Sequence, residues 1–284
     1  MFALIGPTAS GKSDLAIKLA LKLNYEILSL DSLSIYKEID IASAKPDKNE
    51  LNLVKHYGIN EIYPNEKFDV MKFIEIYKNI KHKKLIIVGG SSFYLKAMIS
   101  GISKMPNITE EIKKEAKKKD YEFLKKIDTE YAFKISPNDT YRIQKGIEIF
   151  LATNTPPSLY FKQNPPTPIL KDIPIYEIDI DRKTLRNRIK KRTEKMFKSG
   201  LIDEVSYLEK KYRDRRLPSL KAIGIKEVLD YFNGKYTLNS LKEKIITNTA
   251  RLAKRQQIFN KTQFPNKISA NVKKLFEIIS QKES

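Results

Sequence analysis

Residues Gly6-Pro7-Thr8-Ala9-Ser10-Gly11-Lys12-Ser13 fit the pattern G-x-x-x-x-G-K-[ST], and they follow a short apolar run, Phe2-Ala3-Leu4-Ile5. Behind them Leu15, Ala16, Leu19, Ala20 and Leu23 recur at helical spacing. A strand that turns through such a loop into a helix is a phosphate cradle. Its glycines let the backbone curl so that successive N–H groups converge on an anion, and the helix adds the positive end of its dipole. Lys12 would reach the terminal phosphates, and Ser13 would hold Mg²⁺ through its hydroxyl. The plainer reading is a glycine-rich strand–helix turn with no ligand. The strand before the loop and the helix after it favour the cradle.

That start predicts an α/β chain. Across residues 1–101, strand signals at Phe2–Ile5, Tyr25–Leu30 and Leu85–Val88 alternate with helical patterns, notably around Val70–Ile80. Short buried strands with helical crossovers imply a P-loop-type parallel sheet flanked by helices. Met105-Pro106-Asn107 breaks the alternation. A lysine-heavy helical stretch, Glu110–Asp128, comes next, then a helix from about Thr140 to Ala152 and a proline-rich loop from Asn154 to Pro168. This block, residues 105–168, reads as an inserted all-helical module, and residues 1–104 with 169–284 read as the catalytic core. Ile175–Ile180 looks like a strand returning to the sheet. A basic helix from Arg182 to about Ser199 and helical segments Pro218–Gly234 and Leu238–Asn260 complete the chain.

Composition removes several chemistries. The 284 residues contain no cysteine and only His56 and His82, so a disulfide scaffold, a thiolate zinc site, a cysteine nucleophile and a histidine-rich metal centre are out. No apolar stretch approaches the length that spans a bilayer, and no charged segment precedes the first strand, which predicts a cytoplasmic enzyme. Lysine and arginine number 54 against 34 aspartates and glutamates, a net charge of +20. That surplus suggests a polyanionic partner, most simply nucleic acid. A genome-wide bias toward lysine, isoleucine, asparagine and tyrosine would produce the same number.

Two further strand ends carry candidate chemistry. Asp31 stands just past the second strand signal, where ligands bind in an open parallel sheet. It can help hold Mg²⁺ or accept a proton as a general base; the plainer role is a helix N-cap. The third strand ends in Gly89-Gly90-Ser91, where a nucleotide hydrolase would more often carry an aspartate for Mg²⁺. The glycines allow a ligand to come close, and Ser91 can donate to it.

Seven segments in this order resemble the tRNA dimethylallyltransferase family along essentially the whole chain. They are GPTASGKS, DSLSIYKEIDIASAKP, GGSSFYLKAMISG, SPNDTYRIQKGIEIFLATNTPPS, RIKKRTEKMFKSGLIDEV, LPSLKAIGIKEVLDYFNG and RLAKRQQ. The resemblance implies transfer of a dimethylallyl group from dimethylallyl diphosphate to the exocyclic amine of adenosine 37 of tRNA, just 3′ of the anticodon. The loop, Gly6 to Ser13, would then cradle a leaving diphosphate with Lys12, with Mg²⁺ on Ser13 and with Arg192. Asp31 matches the family's base, and Ser91 its substrate-contacting hydroxyl. The target base would be flipped out of its stack. Matched positions imply tRNA contacts at Asp31, Ser32, Leu33, Ser34 and Ser91, at Lys113, and at Tyr141, Arg142, Ile143, Gln144 and Lys145. Further contacts are implied at Lys221, Lys226, Lys254, Arg255 and Gln256. The partner would be the anticodon stem-loop, and the expected state is a monomer.

The chain departs from the family at Ala42-Ser43, where Gly-Thr is common. It departs also at Lys145, where arginine is common, at Ala250, and at Phe259, which replaces a tryptophan. Lysine for arginine gives up two-pronged phosphate recognition. Two other readings use the same loop. A small-molecule kinase would bind ATP there and use Asp31 to activate a hydroxyl. A nucleotide-gated RNA-binding protein would do no transfer chemistry at all.

Overall fold

In the computed structural model, which describes residues 1–283, the first apolar run is strand β1 (Phe2–Ile5), and the phosphate loop leads from it into helix α1 (Lys12–Leu23). Strand β2 (Glu26–Ser29), helix α2 (Lys48–Leu53), strand β3 (His56–Tyr57), helix α3 (Val70–Ile80) and strand β4 (Leu85–Gly89) follow in alternation. Helix α4 (Ser92–Ser100) contains the boundary between two compact units, which falls after Lys96. The second unit runs from Ala97 to Lys171, and the chain from Asp172 onward rejoins the first. The module expected at 105–168 lies inside the second unit.

The second unit holds five short helices: α5 (Glu110–Ala116), α6 (Tyr121–Ile127), α7 (Thr129–Phe133), α8 (Thr140–Thr153) and α9 (Pro157–Gln163). Ala116, Leu124, Ala132, Ile143 and Ile147 form its core. Two local expectations change. The stretch Glu110–Asp128 is two helices, because the Asp120 carboxylate accepts the Phe123 N–H at 3.0 Å and starts a new one. The segment read as loop contains α9, started by Pro157 in the first turn, where a missing N–H costs nothing. The buried Asp128 carboxylate holds this corner, accepting the Tyr131 N–H at 2.9 Å and the Ser158 N–H at 2.6 Å. The unit's two ends are stitched to each other. The Met98 carbonyl accepts N–H groups of Ile169 and Leu170 at 2.8 and 3.0 Å, and Ile102 bridges Thr167. Gly101 sits between them at φ +82°, where an added Cβ would lie 2.4 Å from the Thr167 backbone.

Strand β5 (Ile175–Ile178) re-enters the sheet, followed by helices α10 (Arg182–Lys198) and α11 (Leu201–Tyr212), and a 3₁₀ turn at Pro218–Lys221. Helices α12 (Ile225–Phe232) and α13 (Leu238–Gln263), strand β6 (Ile268–Ala270) and helix α14 (Val272–Lys282) end the chain. The six strands are all parallel, in the order β3-β2-β4-β1-β5-β6. Every residue of β1 is at most 1% exposed, so both faces of the central strand are covered, as a parallel sheet requires. Phe2 and Leu4 pack with Leu15 and Leu19 of α1 and with Leu275 and Ile279 of α14. Each such side chain contributes on the order of 2 kcal/mol by leaving water. Among the described residues no helix is long and apolar enough to cross a membrane.

Candidate active site

The sheet order brings three strand ends together. β2, β4 and β1 are consecutive neighbours, so their carboxyl ends place Asp31, Gly90-Ser91 and the phosphate loop along one edge. The loop is curled through left-handed residues at Ala9 (φ +63°) and Gly11 (φ +94°). Gly11 is the residue just before α1, and a Cβ there would stand 3.0 Å from the Arg188 guanidinium. Ser10 is fully buried, and its Oγ has no hydrogen-bond partner among the described residues. Ser13 is exposed in the first turn of α1, and its hydroxyl makes no side-chain hydrogen bond among the described residues.

Lys12 folds back over the loop, its ammonium donating to the Pro7 carbonyl at 2.7 Å. Burial pulls its pKa down from 10.5 to about 8; Asp31 opposes the drop, Arg192 adds to it, and Glu177 opposes it weakly. Arg192, on α10, donates to Thr8 Oγ1 at 3.3 Å and to the Ser43 carbonyl at 3.2 Å. Desolvation lowers its proton affinity as well, and the Asp31 carboxylate works against that. Lys12, Asp31 and Arg192 are therefore one electrostatic group. One turn before Arg192, Arg188 donates to the Ser10 carbonyl at 2.6 Å. Arg188 carries no motif signal of its own, although its i, i+4 spacing from Arg192 puts both guanidinium groups on one helix face.

Asp31 is not a helix N-cap. Its Oδ1 accepts the N–H groups of Leu33 (2.8 Å) and Ser34 (3.0 Å) in a turn, which fixes the carboxylate. Its Oδ2 takes part in no hydrogen bond among the described residues. Ser91 Oγ accepts the Ser32 N–H at 3.3 Å and lies 3.4 Å from Ser32 Oγ, tying the β4 end to the β2 end. Ser32 and Leu33 line a cavity of about 290 Å³ with Tyr36, Phe68, Tyr94 and Lys221. The rings of Tyr36, Phe68, Phe73 and Tyr94 meet edge-on or tilted beside it, at centroid separations of 5.1 to 6.0 Å. Burial raises the Tyr94 hydroxyl to about 12, so it stays protonated at neutral pH.

The segment after Asp31 is held by groups with no local sequence signal. Glu204 of α11 accepts three consecutive backbone N–H groups, of Asp40, Ile41 and Ala42, at 2.7 to 2.9 Å. Lys45 donates hydrogen bonds to the Tyr36 carbonyl, the Asp40 carboxylate and the Asn60 amide oxygen.

The other predicted positions divide by unit. In the first unit, Lys221 and Lys226 line a second cavity, of about 330 Å³, together with Arg215. Lys254 and Arg255 are exposed on α13, whereas Gln256 is half-buried and its amide meets the phosphate loop. In the second unit, Lys113 pairs with Glu110 at 2.6 Å, Arg142 with Asp139 at 2.7 Å, and Lys145 with Glu148 at 2.6 Å. Tyr141 is 71% exposed, and Gln144 donates to the Lys119 carbonyl at 3.2 Å. Ile143, 4% exposed, belongs to that unit's core.

A family model described as IPP transferase matches residues 34–263. The chain belongs to the IPP transferase family. It is 80% identical over 279 residues to the tRNA dimethylallyltransferase of Nautilia profundicola, covering 98% of each chain, and 52% identical to that of a Sulfurovum species, covering 98% and 97%. Among solved structures it resembles a tRNA isopentenylpyrophosphate transferase from Staphylococcus epidermidis at 30% identity and TM-score 0.69, with 99% and 98% of the two chains covered. It also resembles a eukaryotic dimethylallyltransferase acting on tRNA, at 25% identity and TM-score 0.85, covering 99% of this chain and 76% of the other. As a member of this IPP transferase family the chain is a transferase, and the kinase and binding-only readings of the loop are set aside.

Proposed function

We propose that this chain transfers a dimethylallyl group from dimethylallyl diphosphate to the exocyclic amine of adenosine 37 of tRNA, with Asp31 as general base. The observation that carries the reading is the meeting of an anion loop, the cations Lys12 and Arg192, and a carboxylate with an uncommitted oxygen at three adjacent strand ends. The donor's carbon–oxygen bond breaks, and its electron pair leaves on the diphosphate. The adenine nitrogen supplies the pair for the new carbon–nitrogen bond and loses a proton to Asp31 Oδ2. That amine is a poor nucleophile because its lone pair is delocalised into the ring, so a fixed base beside it matters.

Lys12, the N–H groups of Ala9, Gly11, Lys12 and Ser13 in the loop and the start of α1, and Arg192 take up the charge that grows on the leaving group. Ser10 Oγ, buried and unspent, adds a donor whose desolvation has already been incurred. Ser91, tied to Ser32, would orient the incoming base. Mg²⁺ takes oxygen ligands, keeps several waters and is commonly held by one or two protein groups with phosphate oxygens. The exposed Ser13 hydroxyl fits that demand, and no cluster of three acidic or histidine ligands exists among the described residues to hold the ion alone. When bound, Mg²⁺ would supply charge neutralisation for the diphosphate.

The anticodon stem-loop would be held by Ser32 to Ser34, by Lys221 and Lys226, and by Lys254 and Arg255. In the second unit Lys113, Tyr141, Arg142, Gln144 and Lys145 would contribute, with Ile143 supporting their helix. Every group named lies on one chain, so a monomer suffices, and a tRNA substrate puts the reaction in the cytoplasm. The deciding experiment is transfer of radiolabel from dimethylallyl diphosphate to unmodified tRNA with Mg²⁺ and without ATP. Label on the base beside the anticodon supports the reading. Absence of label, with ATP turnover stimulated by a small metabolite, overturns it.

A further inference from the structure

The proposed reaction leaves Gln256 with a geometry it does not use. The side-chain amide is half-buried, and both of its ends are engaged: Oε1 accepts the Thr8 N–H at 2.8 Å, and Nε2 donates to the Gly90 carbonyl at 2.8 Å. Thr8 belongs to the loop that follows β1, and Gly90 to the turn that follows β4. Those two strands are neighbours whose last ladder pair is Ile5 with Gly89. Past that pair, the Gln256 amide is the link that joins the loop to the turn. Lys254 and Arg255, beside it on α13, are exposed, so the helix turns a different residue to each task.

The fit is close. A Cβ on Gly90 would come within 2.8 Å of Gln256 Nε2 and 3.9 Å of the Lys12 ammonium. Thr8 is thereby held from two sides, by Gln256 at its N–H and by Arg192 at its hydroxyl. Accepting one backbone group while donating to another demands an amide of this length. A carboxylate lacks the donor, and a methionine of similar reach has neither function.

We propose that Gln256 is a positioning residue that fixes the phosphate loop against the Gly90-Ser91 turn, and so sets where Lys12 and the loop N–H groups meet the donor's diphosphate. It contacts neither the donor nor tRNA; it removes the ordering cost that a loose loop would incur on binding. The inference rests on the reading of the loop as a diphosphate site.

The test measures binding of inorganic diphosphate with Mg²⁺ to the full chain by calorimetry, for wild type, Gln256→Met, Gln256→Glu and Lys12→Ala, together with tRNA affinity by filter binding. Gln256→Met is expected to weaken diphosphate binding about tenfold and to leave tRNA affinity at the wild-type level. Gln256→Glu is expected to bind more weakly still at pH 7. Its affinity relative to wild type should recover as pH falls toward 5, because a protonated carboxyl both accepts and donates, as the amide does. A residue with only a general structural role would show no such recovery. Wild-type diphosphate affinity in Gln256→Met, or a loss confined to tRNA, overturns the proposal. If wild type takes up no diphosphate, or Lys12→Ala equals it, the reading of the loop fails instead.

Discussion

Replacing Lys12 by methionine should stabilise the empty protein while abolishing its use of the donor. The buried ammonium has a pKa of about 8 instead of 10.5. At pH 7 that drop corresponds to about 3 kcal/mol of destabilisation by the buried charge. Methionine also loses the hydrogen bond to the Pro7 carbonyl, worth about 1 kcal/mol. The net expectation is a gain of about 2 kcal/mol in urea unfolding at pH 7. Between pH 8 and 10.5 wild-type Lys12 is deprotonated in the folded state and protonated in the unfolded one. The unfolded state then binds more protons, wild-type stability rises with pH relative to the variant, and the gap closes toward zero or below. Diphosphate should reverse the order at pH 7, because only wild type gains from binding it. A variant less stable than wild type at pH 7, or a gap that does not change with pH, would refute the claim that the loop stores the cost of a desolvated charge.

Asp31→Asn keeps the acceptor for the Leu33 and Ser34 N–H groups but cannot take a proton; kcat should fall about a hundredfold or more with diphosphate affinity near wild type, in single-turnover transfer assays. An unchanged rate would remove Asp31 from the chemistry. Asp128→Ala strands the Tyr131 and Ser158 N–H groups and should cost the second unit about 2 kcal/mol, read by hydrogen exchange confined to residues 97–171. Binding of tRNA should weaken linearly in log–log plots against salt, as counterion release requires; a flat response would deny the basic surface its role.

What was legible in the sequence is what is local. The phosphate loop is eight consecutive residues, and its strand and helix flank it directly, so motif and fold class come together. Helix α3 has the bounds its periodicity predicts. Strands β3 and β6 gave no usable signal, because two and three residues at sheet edges are too short for a period to show. Contacts made across long stretches of sequence were equally silent. Glu204 meets its three N–H groups more than 160 positions away, and Gln256 meets Thr8 across 248. In the sequence, Gln256 sits beside Lys254 and Arg255 in a basic run, and the family resemblance counts it among the implied tRNA contacts. Only the rotation of α13 separates the inward amide from its outward neighbours. Ile143 shows the same limit: matched position marked the segment Tyr141 to Lys145, while helical phase put one member in the core.

The seam at the ends of the second unit bears on how such chains can change. Where Met98 is tied to Ile169 and Leu170, and Gly101 lies against Thr167, the departing and returning chains run side by side. With the two ends held there, the entropy of closing the segment beyond the seam grows only slowly with its length. The segment from about 103 to 166 thus lies beyond a clasp that closes on itself, and Gly101 must stay glycine for that clasp to shut.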